Sequence, residues 1–459
     1  MDPSTYAARR EVLRTAVPDG AILIMGNDEA PRNYVDNVYP FRQDSHFLYY
    51  CGVSQPGLAL LIEPDGGAVL YGTPDHRDDV IWHGPHPTMA DHAAAAGASE
   101  YADIGGLAGK ISALRGGGVD VHYLPPYRAQ RRFALARLLG ADPREVGAQT
   151  SVELVRAVVA QRSIKEEPEI DEIEDALAVT AGMYRATMRA ASAGRSEAEL
   201  AAVHIAEAIG AGCGQAFSPI VTVRGEVLHN VTYENTLVDG DLLLVDSGAE
   251  APSGYASDIT RTMPVSGRFT DRQREIYEVV LAANQAAIGA AAPGVTNREL
   301  HLLAARTVAS GLKDLGLMQG DVEAAVEAGA HAMFFVHGLG HMMGLDVHDM
   351  EDLGDVVGYE AGEERSTQFG LAYLRLARPL ESGFVITIEP GIYFIPTLID
   401  RWRSDGLHSE FICYDRVEQY RSFGGIRIED DVLITDSGCR VLGPSIPKSV
   451  ADIEAAMAR

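Results

Sequence analysis

Four acidic residues in the second half of this chain, Asp246, Asp258, Glu389 and Glu429, close or interrupt segments that otherwise read as buried strands. Asp246 ends the apolar run Leu242-Leu243-Leu244-Val245. After a turn at Pro252-Ser253-Gly254 the chain returns through Ser257-Asp258-Ile259-Thr260, so a hairpin would set Asp246 and Asp258 face to face on neighbouring strands. In Val385-Ile386-Thr387-Ile388-Glu389 the period of two puts Val385, Thr387 and Glu389 on one face. In Gly425-Ile426-Arg427-Ile428-Glu429, Ile426 and Ile428 face one way while Arg427 and Glu429 face the other. Any one of these acids is most simply a solvated strand end. The set is not, because carboxylates gathered on buried strands repel unless a proton or a cation lies between them.

Residues 337–349, His337-Gly338-Leu339-Gly340-His341-Met342-Met343-Gly344-Leu345-Asp346-Val347-His348-Asp349, bring three histidines among glycines and apolar residues. The spacing of His337 and His341 suits a helical metal pair, but the two glycines between them argue for a loop. The glutamate that a zinc-protease helix carries after its first histidine is replaced by Gly338. We give one of the three, His341, to metal. With Asp246, Asp258, Glu389 and Glu429 this makes four carboxylates and one imidazole, too much ligand for one ion and suited to two. So oxygen-rich a set favours a hard divalent cation such as Mn²⁺ over a structural zinc site, with Co²⁺ or Zn²⁺ as alternatives.

The segments LLLVDSG, YASDITRTMP, HGLGHMMGLDVHD, VITIEPGIYF and FGGIRIEDDVLIT resemble, in order and approximate spacing, the metal-binding segments of Xaa-Pro peptidases. That group comprises aminopeptidase P and prolidase, within the pita-bread metallopeptidases. The resemblance covers residues 165–459, and from Glu389 onward it is nearest to eukaryotic prolidase. FRQDSHFLYYCGVSQPG, residues 41–57, resembles the N-terminal domain that these enzymes share. It implies an α/β (α+β) protein: an aminopeptidase P-type N-terminal α/β domain over 1–160 and a pita-bread (creatinase/aminopeptidase) catalytic domain over 161–459.

Carried over by position, the resemblance implies that Asp246 chelates one metal, that Asp258 and Glu429 bridge the pair, and that His341 and Glu389 complete the second. A hydroxide between the metals would attack, since metal lowers the pKa of water from ~15.7 to around 7. Glu389 would also carry a proton to the leaving nitrogen, and His348 and His229 would stabilise the oxyanion or hold substrate. His337 stands where the family has a further active-site histidine, and Arg427 would orient Glu429 or a neighbouring acid. By family the metal is manganese and the assembly a homodimer or homotetramer.

The implied activity is an Xaa-Pro aminopeptidase acting on peptides with proline second, with a prolidase restricted to dipeptides as the alternative. An Xaa-Pro amide offers no N–H to grip, and its ring nitrogen must be protonated as it leaves. The family cleaves the trans isomer. Arg375 stands where prolidase binds the dipeptide's carboxylate, a task suited to a guanidinium, and an ordinary surface arginine is the alternative. Trp82 matches a tryptophan that the N-terminal domain lends to the substrate site in both subfamilies, so it does not discriminate. Residues 350–382 are closer in length to prolidase than to bacterial aminopeptidase P. Methionine aminopeptidases share the ligand set but lack such an N-terminal domain. Creatinase-like and chaperone-type members lack the five ligands.

A chain of 459 residues suggests two or three domains, and a net charge of -27 argues against nucleic acid or anionic membrane as partners. Cys51, Cys213, Cys413 and Cys439 are too scattered for a disulfide framework and suit a reducing cytoplasm. The first eleven residues lack the apolar core of a signal peptide, and no apolar run approaches the ~20 residues of a membrane span. Apolar runs at 21–25, 47–51, 58–62 and 119–124, with a helix over 129–139, indicate a small α/β domain. A charged stretch over 161–169 leads into a long helix with Pro168 in its first turn, and Thr296 to Glu299 forms a capping box for a helix over 299–315. No repeat is evident, and the two-fold symmetry implied by the resemblance is not visible. His76, His83 and His86 are read as a loop around Trp82, His331 is left outside the site, and His46 and His122 as packing or surface.

Overall fold

Short apolar strands separated by amphipathic helices build both parts of the molecule. The computed structural model describes residues 1–458 except Asp75 and Arg77, and of His83 only the main chain. Two compact units emerge: Met1–Arg162 with Met350–Gly354, and Ser163–Asp349 with Asp355–Arg459.

The first unit is built on β1 (Ala21–Met25), a small hairpin of β2 (Pro31–Tyr34) and β3 (Asn37–Val38), β4 (Ala59–Ile62), β5 (Ala68–Gly72), β6 (Glu100–Asp103) and β7 (Val121–Tyr123). The main sheet runs β6-β5-β4-β1-β7, with β4 antiparallel to both neighbours and the outer pairs parallel. Leu23, Leu61, Val69 and Tyr71 pack against Leu107 and Ile111 of helix Leu107–Gly116 and Leu135 and Leu139 of helix Ala129–Leu139. The apolar run at 47–51 is helical, as part of Ser45–Cys51. Asp44 caps it by accepting the Phe47 N–H at 2.9 Å, and Gly52 at φ 69° ends it.

The second unit opens with helix Glu167–Ala190, which has Pro168 in its first turn, followed by helix Glu197–Gly210. The strands are β8 (Gly214–Gln215), β9 (Ile220–Thr222), β10 (Leu242–Ser247), β11 (Ala249–Glu250) and β12 (Ile259–Pro264). Helices Asp271–Ala290 and Asn297–Asp314 follow, then β13 (Val385–Ile388), β14 (Gly391–Tyr393), β15 (Gly425–Arg427), β16 (Asp430–Thr435) and β17 (Gly438–Val441). The larger sheets run β12-β10-β9 and β13-β16-β17, and β14 pairs with β15.

A repeat missed in the sequence is plain here. Ala191-Ser192-Ala193-Gly194-Arg195-Ser196 and Ala291-Ala292-Pro293-Gly294-Val295-Thr296 make the same corner between two helices. Gly194 (φ 89°) and Gly294 (φ 85°) turn each corner, a conformation that strains any side chain. Their N–H groups donate to Leu237 and Leu380 carbonyls, both at 2.8 Å, and Ser196 and Thr296 then cap the next helix in a capping box. Each helix pair is followed by an antiparallel pair of strands, β10 with β12 and β13 with β16. Asp258 immediately precedes β12, and Glu429 immediately precedes β16. Each half therefore delivers an acid at the same point of its architecture.

Candidate metal centre

The hairpin expected around Asp246 is β10 against β12, with Asp246 opposite Thr260. Asp258 and Glu429 are both buried, at 4% and 2% exposure, and each enters its strand beside the other's half. The Thr260 hydroxyl donates to Glu429 Oε2 at 2.7 Å, and the Glu429 N–H donates to the Thr260 carbonyl at 3.1 Å. Asp258, His341 and Glu429 offer ligand atoms all within 4.8 Å of one another. His341 Nε2 lies 3.5 Å from Asp258 Oδ2 and 3.8 Å from Glu389 Oε1.

His341 reaches this point from an extended loop, as the two glycines between His337 and His341 suggested. The loop runs along β13: the Thr387 N–H donates to the His341 carbonyl at 3.0 Å, and the Glu389 N–H to the Leu339 carbonyl at 2.8 Å. Gly340 permits this approach, since a Cβ there would stand 1.9 Å from the Thr387 carbonyl oxygen. His341 Nδ1 is 3.0 Å from the Met342 carbonyl, which can only accept. Nδ1 therefore carries a proton, and Nε2 is turned to the carboxylate side.

Arg427 supplies the cluster's fixed positive charge. It donates to Asp246 Oδ2 at 2.5 Å, to the Thr260 hydroxyl at 3.0 Å and to the Tyr393 hydroxyl at 2.8 Å. Asp246 is thus the neighbouring acid that Arg427 orients, while Thr260 links it to Glu429. The Tyr393 hydroxyl in turn lies 2.9 Å from His337 Nε2. His337 Nδ1 faces the Gly338 carbonyl at 2.8 Å, so Nδ1 holds the proton and Nε2 accepts from Tyr393. Burial and then the Arg427 charge push the His337 imidazolium down to about 3, so this ring is neutral near pH 7.

One guanidinium does not balance four acids. Burial first, then repulsion from neighbouring carboxylates, holds the Asp258 and Glu429 carboxyls well above their ordinary range. Asp258 Oδ1 is buried with no hydrogen-bond partner. An orphaned buried oxygen, mutually repelling acids and an imidazole nitrogen turned toward them are the features of a cation site, and these residues fit divalent metal.

All ten sequence-predicted residues of the second unit line one pocket of about 580 Å³. They are Asp246, Asp258, His341, Glu389 and Glu429 with His229, His337, His348, Arg375 and Arg427. His348 stacks edge-on to His341, their ring centroids 4.2 Å apart. His229 stands at the exposed end of its loop, and burial, then Arg427, lowers its pKa. Trp82 belongs to the first unit, 80% exposed in the short helix Asp79–His83, and is not among the residues lining this pocket. Trp82 and His83 fall in that short helix, while His76 and His86 lie in loop as expected; the side chain of His83 lies outside the described residues. His331 is fully buried with its ring 6.1 Å from that of His301, away from the pocket lining.

Sequence reasoning missed Thr260 and Tyr393, which connect Arg427 to Glu429 and His337, and the apolar wall of Phe217, Phe369 and Tyr373. It also missed Asp431, whose Oδ2 accepts the Asp258 N–H at 2.9 Å while its Oδ1 is buried without a partner. Position in the quoted segments was the available signal for Thr260, Tyr393 and Asp431. None existed for the wall.

Comparison with known proteins agrees with this geometry. Residues 171–436, more than half the chain, match metallopeptidase family M24, and residues 6–121 match the aminopeptidase P N-terminal domain. The chain belongs to metallopeptidase family M24: it is an enzyme with an aminopeptidase P-type α/β domain before a pita-bread catalytic domain. Among its relatives is the Xaa-Pro dipeptidase of Homo sapiens, 32% identical over 96% of this chain and 90% of that protein. A probable Xaa-Pro aminopeptidase of Sordaria macrospora is 31% identical over 98% of this chain and 95% of its own length. The solved structure of Pseudomonas aeruginosa aminopeptidase PepP superposes with a TM-score of 0.82 at 30% identity, covering 100% of this chain and 98% of that one.

Proposed function

We propose that this metallopeptidase hydrolyses the bond between an N-terminal residue and a following proline, as an Xaa-Pro aminopeptidase. The observation that carries the reading is the convergence of all five candidate ligands with three histidines and Arg375 on one pocket. We assign residues 1–160 to the aminopeptidase P-type domain and 161–459 to the catalytic domain, and the metals to Asp246, Asp258, His341, Glu389 and Glu429. Bound there, two divalent ions, Mn²⁺ by preference over Co²⁺ or Zn²⁺, make hydroxide available at neutral pH and polarise the scissile carbonyl.

The chain's own groups do the rest. Glu389 is partly exposed, its oxygens 3.8 Å from His337 and His341, placed to take the proton of the attacking water and return it to the proline nitrogen. His348 and His229 donate to the developing oxyanion or hold the peptide. His337 is kept neutral by burial and the Arg427 charge, and Gly338 and Tyr393 fix it in one tautomer. The apolar wall of Phe217, Phe369 and Tyr373 suits a pyrrolidine ring. Arg427 fixes Asp246.

Arg375 on the same pocket favours a second reading, an Xaa-Pro dipeptidase, because a guanidinium there would bind the carboxylate of a two-residue substrate. We place Trp82 at the substrate, and the active form as a homodimer or homotetramer. With four free cysteines and no disulfide among the described residues, we place the enzyme in the reducing cytoplasm. No helix among the described residues is long and apolar enough to cross a membrane. Hydrolysis of Gly-Pro, Ala-Pro, Ala-Pro-Ala and Met-Ala after chelation and Mn²⁺ return tests the proposal. Metal-dependent cleavage of the proline peptides is expected. Cleavage without metal, or of Met-Ala in preference, would reject it; cleavage of the dipeptides alone would select the second reading.

A further inference from the structure

The first unit contains a pocket of its own, about 500 Å³. It lies at the carboxyl ends of β1 and β6, lined by the residues that follow each strand and by the helices Leu107–Gly116 and Ala129–Leu139. Open sheets with parallel strands commonly bind ligands at this edge. Its walls are apolar, with Leu58, Ile104, Leu107 and Leu138 among them. Its volume is in the range of small-molecule sites, about 300–1,000 Å³.

The charge is more telling than the volume. Three guanidiniums, Arg128, Arg131 and Arg137, line this pocket in a chain of net charge -27. Arg131 is buried, bonded to Asp44 at 2.7 Å and to Asn27 at 2.5 Å, yet its Nε is buried without any partner. Arg128 is spent on the Asp28 main-chain carbonyl at 3.2 Å. The Arg137 side chain, exposed on the helix Ala129–Leu139, makes no hydrogen bond or ion pair among the described residues. On the lining itself three guanidiniums stand against one acid, Asp28, while Asp44 and Asp352 behind it offset Arg131. An orphaned N–H and an excess cation over apolar walls describe a receptor for an anion carried on an apolar body.

We propose that the N-terminal unit binds a small amphipathic carboxylate in this pocket, apolar body against Leu58, Ile104 and Leu138 and carboxylate toward Arg131 and Arg137. The proposal does not depend on the peptidase reading. Calorimetric titration of the full-length, metal-loaded protein with octanoate tests it, with octanol and octylamine as neutral and cationic counterparts. One octanoate per chain is expected, bound at least about tenfold more tightly than either counterpart. Arg137→Glu should weaken octanoate by about tenfold or more, and Ala108→Phe, a substitution at an exposed lining residue, should abolish it. Both variants should hydrolyse Ala-Pro-Ala at the wild-type rate. The idea fails if octanol binds as well as octanoate, if no titration is seen, or if both variants keep full affinity. It fails equally if Arg375→Ala, rather than these two, removes the signal, because the probe would then occupy the peptidase pocket.

Discussion

Arg427 donates to Asp246, Thr260 and Tyr393 from a position almost wholly buried, and every one of those contacts serves an acid or a histidine of the centre. Removing it should leave Asp246 free to rotate without deleting a ligand. Outer-shell losses of this kind weaken metal affinity by roughly 10–100-fold. We expect Arg427→Met to do so in Mn²⁺ titrations of a folded protein; unchanged affinity would remove it from the centre's design. Arg375 is tested by chain length. If it pairs with a substrate carboxylate, Arg375→Ala forfeits a charge-assisted bond worth about 1.5–3 kcal/mol, raising KM for Gly-Pro roughly tenfold or more while sparing Ala-Pro-Ala. Equal losses on both substrates would make it an ordinary wall residue. At this scale the acids were legible because charge at the end of an apolar run demands an explanation. Thr260 and Tyr393 were not, because a hydroxyl in a strand looks ordinary until cross-strand register shows what it touches.

The loop carrying His341 depends on its approach to β13. Gly340→Ala would force a methyl into the Thr387 carbonyl 1.9 Å away, between backbone segments with no flexible side chain to yield. We expect a loss of more than about 2 kcal/mol in stability by denaturant titration, with metal affinity falling in parallel. A fully stable variant with intact Mn²⁺ binding would show that the two strands part easily. Elements were read well where local chemistry decides: Pro168 opens its helix, Thr296 caps Asn297–Asp314, and 129–139 is helical as expected. The run at 47–51 was ambiguous because seven buried residues hide the helical period, and the Asp44 cap resolves it only in hindsight. The paired corners share little beyond an alanine, a glycine and a hydroxyl cap, so the symmetry lies in backbone turns rather than in side chains.

Three buried histidines of the catalytic unit, all outside the candidate ligand set, should each withdraw stability in acid. Burial pushes the imidazoliums of His204 and His331 down to about 4 and that of His301 to about 3, against an ordinary value of 6.5. Between those values the unfolded chain binds more protons than the folded one. Stability is therefore full above pH ~6.5 and declines as pH falls toward the folded values. At pH 5 each ring would withdraw about 2 kcal/mol. His301→Phe, which keeps a ring where neither nitrogen has a partner, should fall less in Tm between pH 7 and 5 than the wild type. An identical slope would place the acid sensitivity elsewhere.

Asp258 and Glu429 come from opposite halves of the catalytic unit, each at the threshold of its own second strand. A cation held by both, as proposed, would act as a rivet between two half-shells, each of which supplies only some of the candidate ligands. Loading with metal and closing the seam would then be a single event, and the strength of that grip would also measure how firmly the halves are held together.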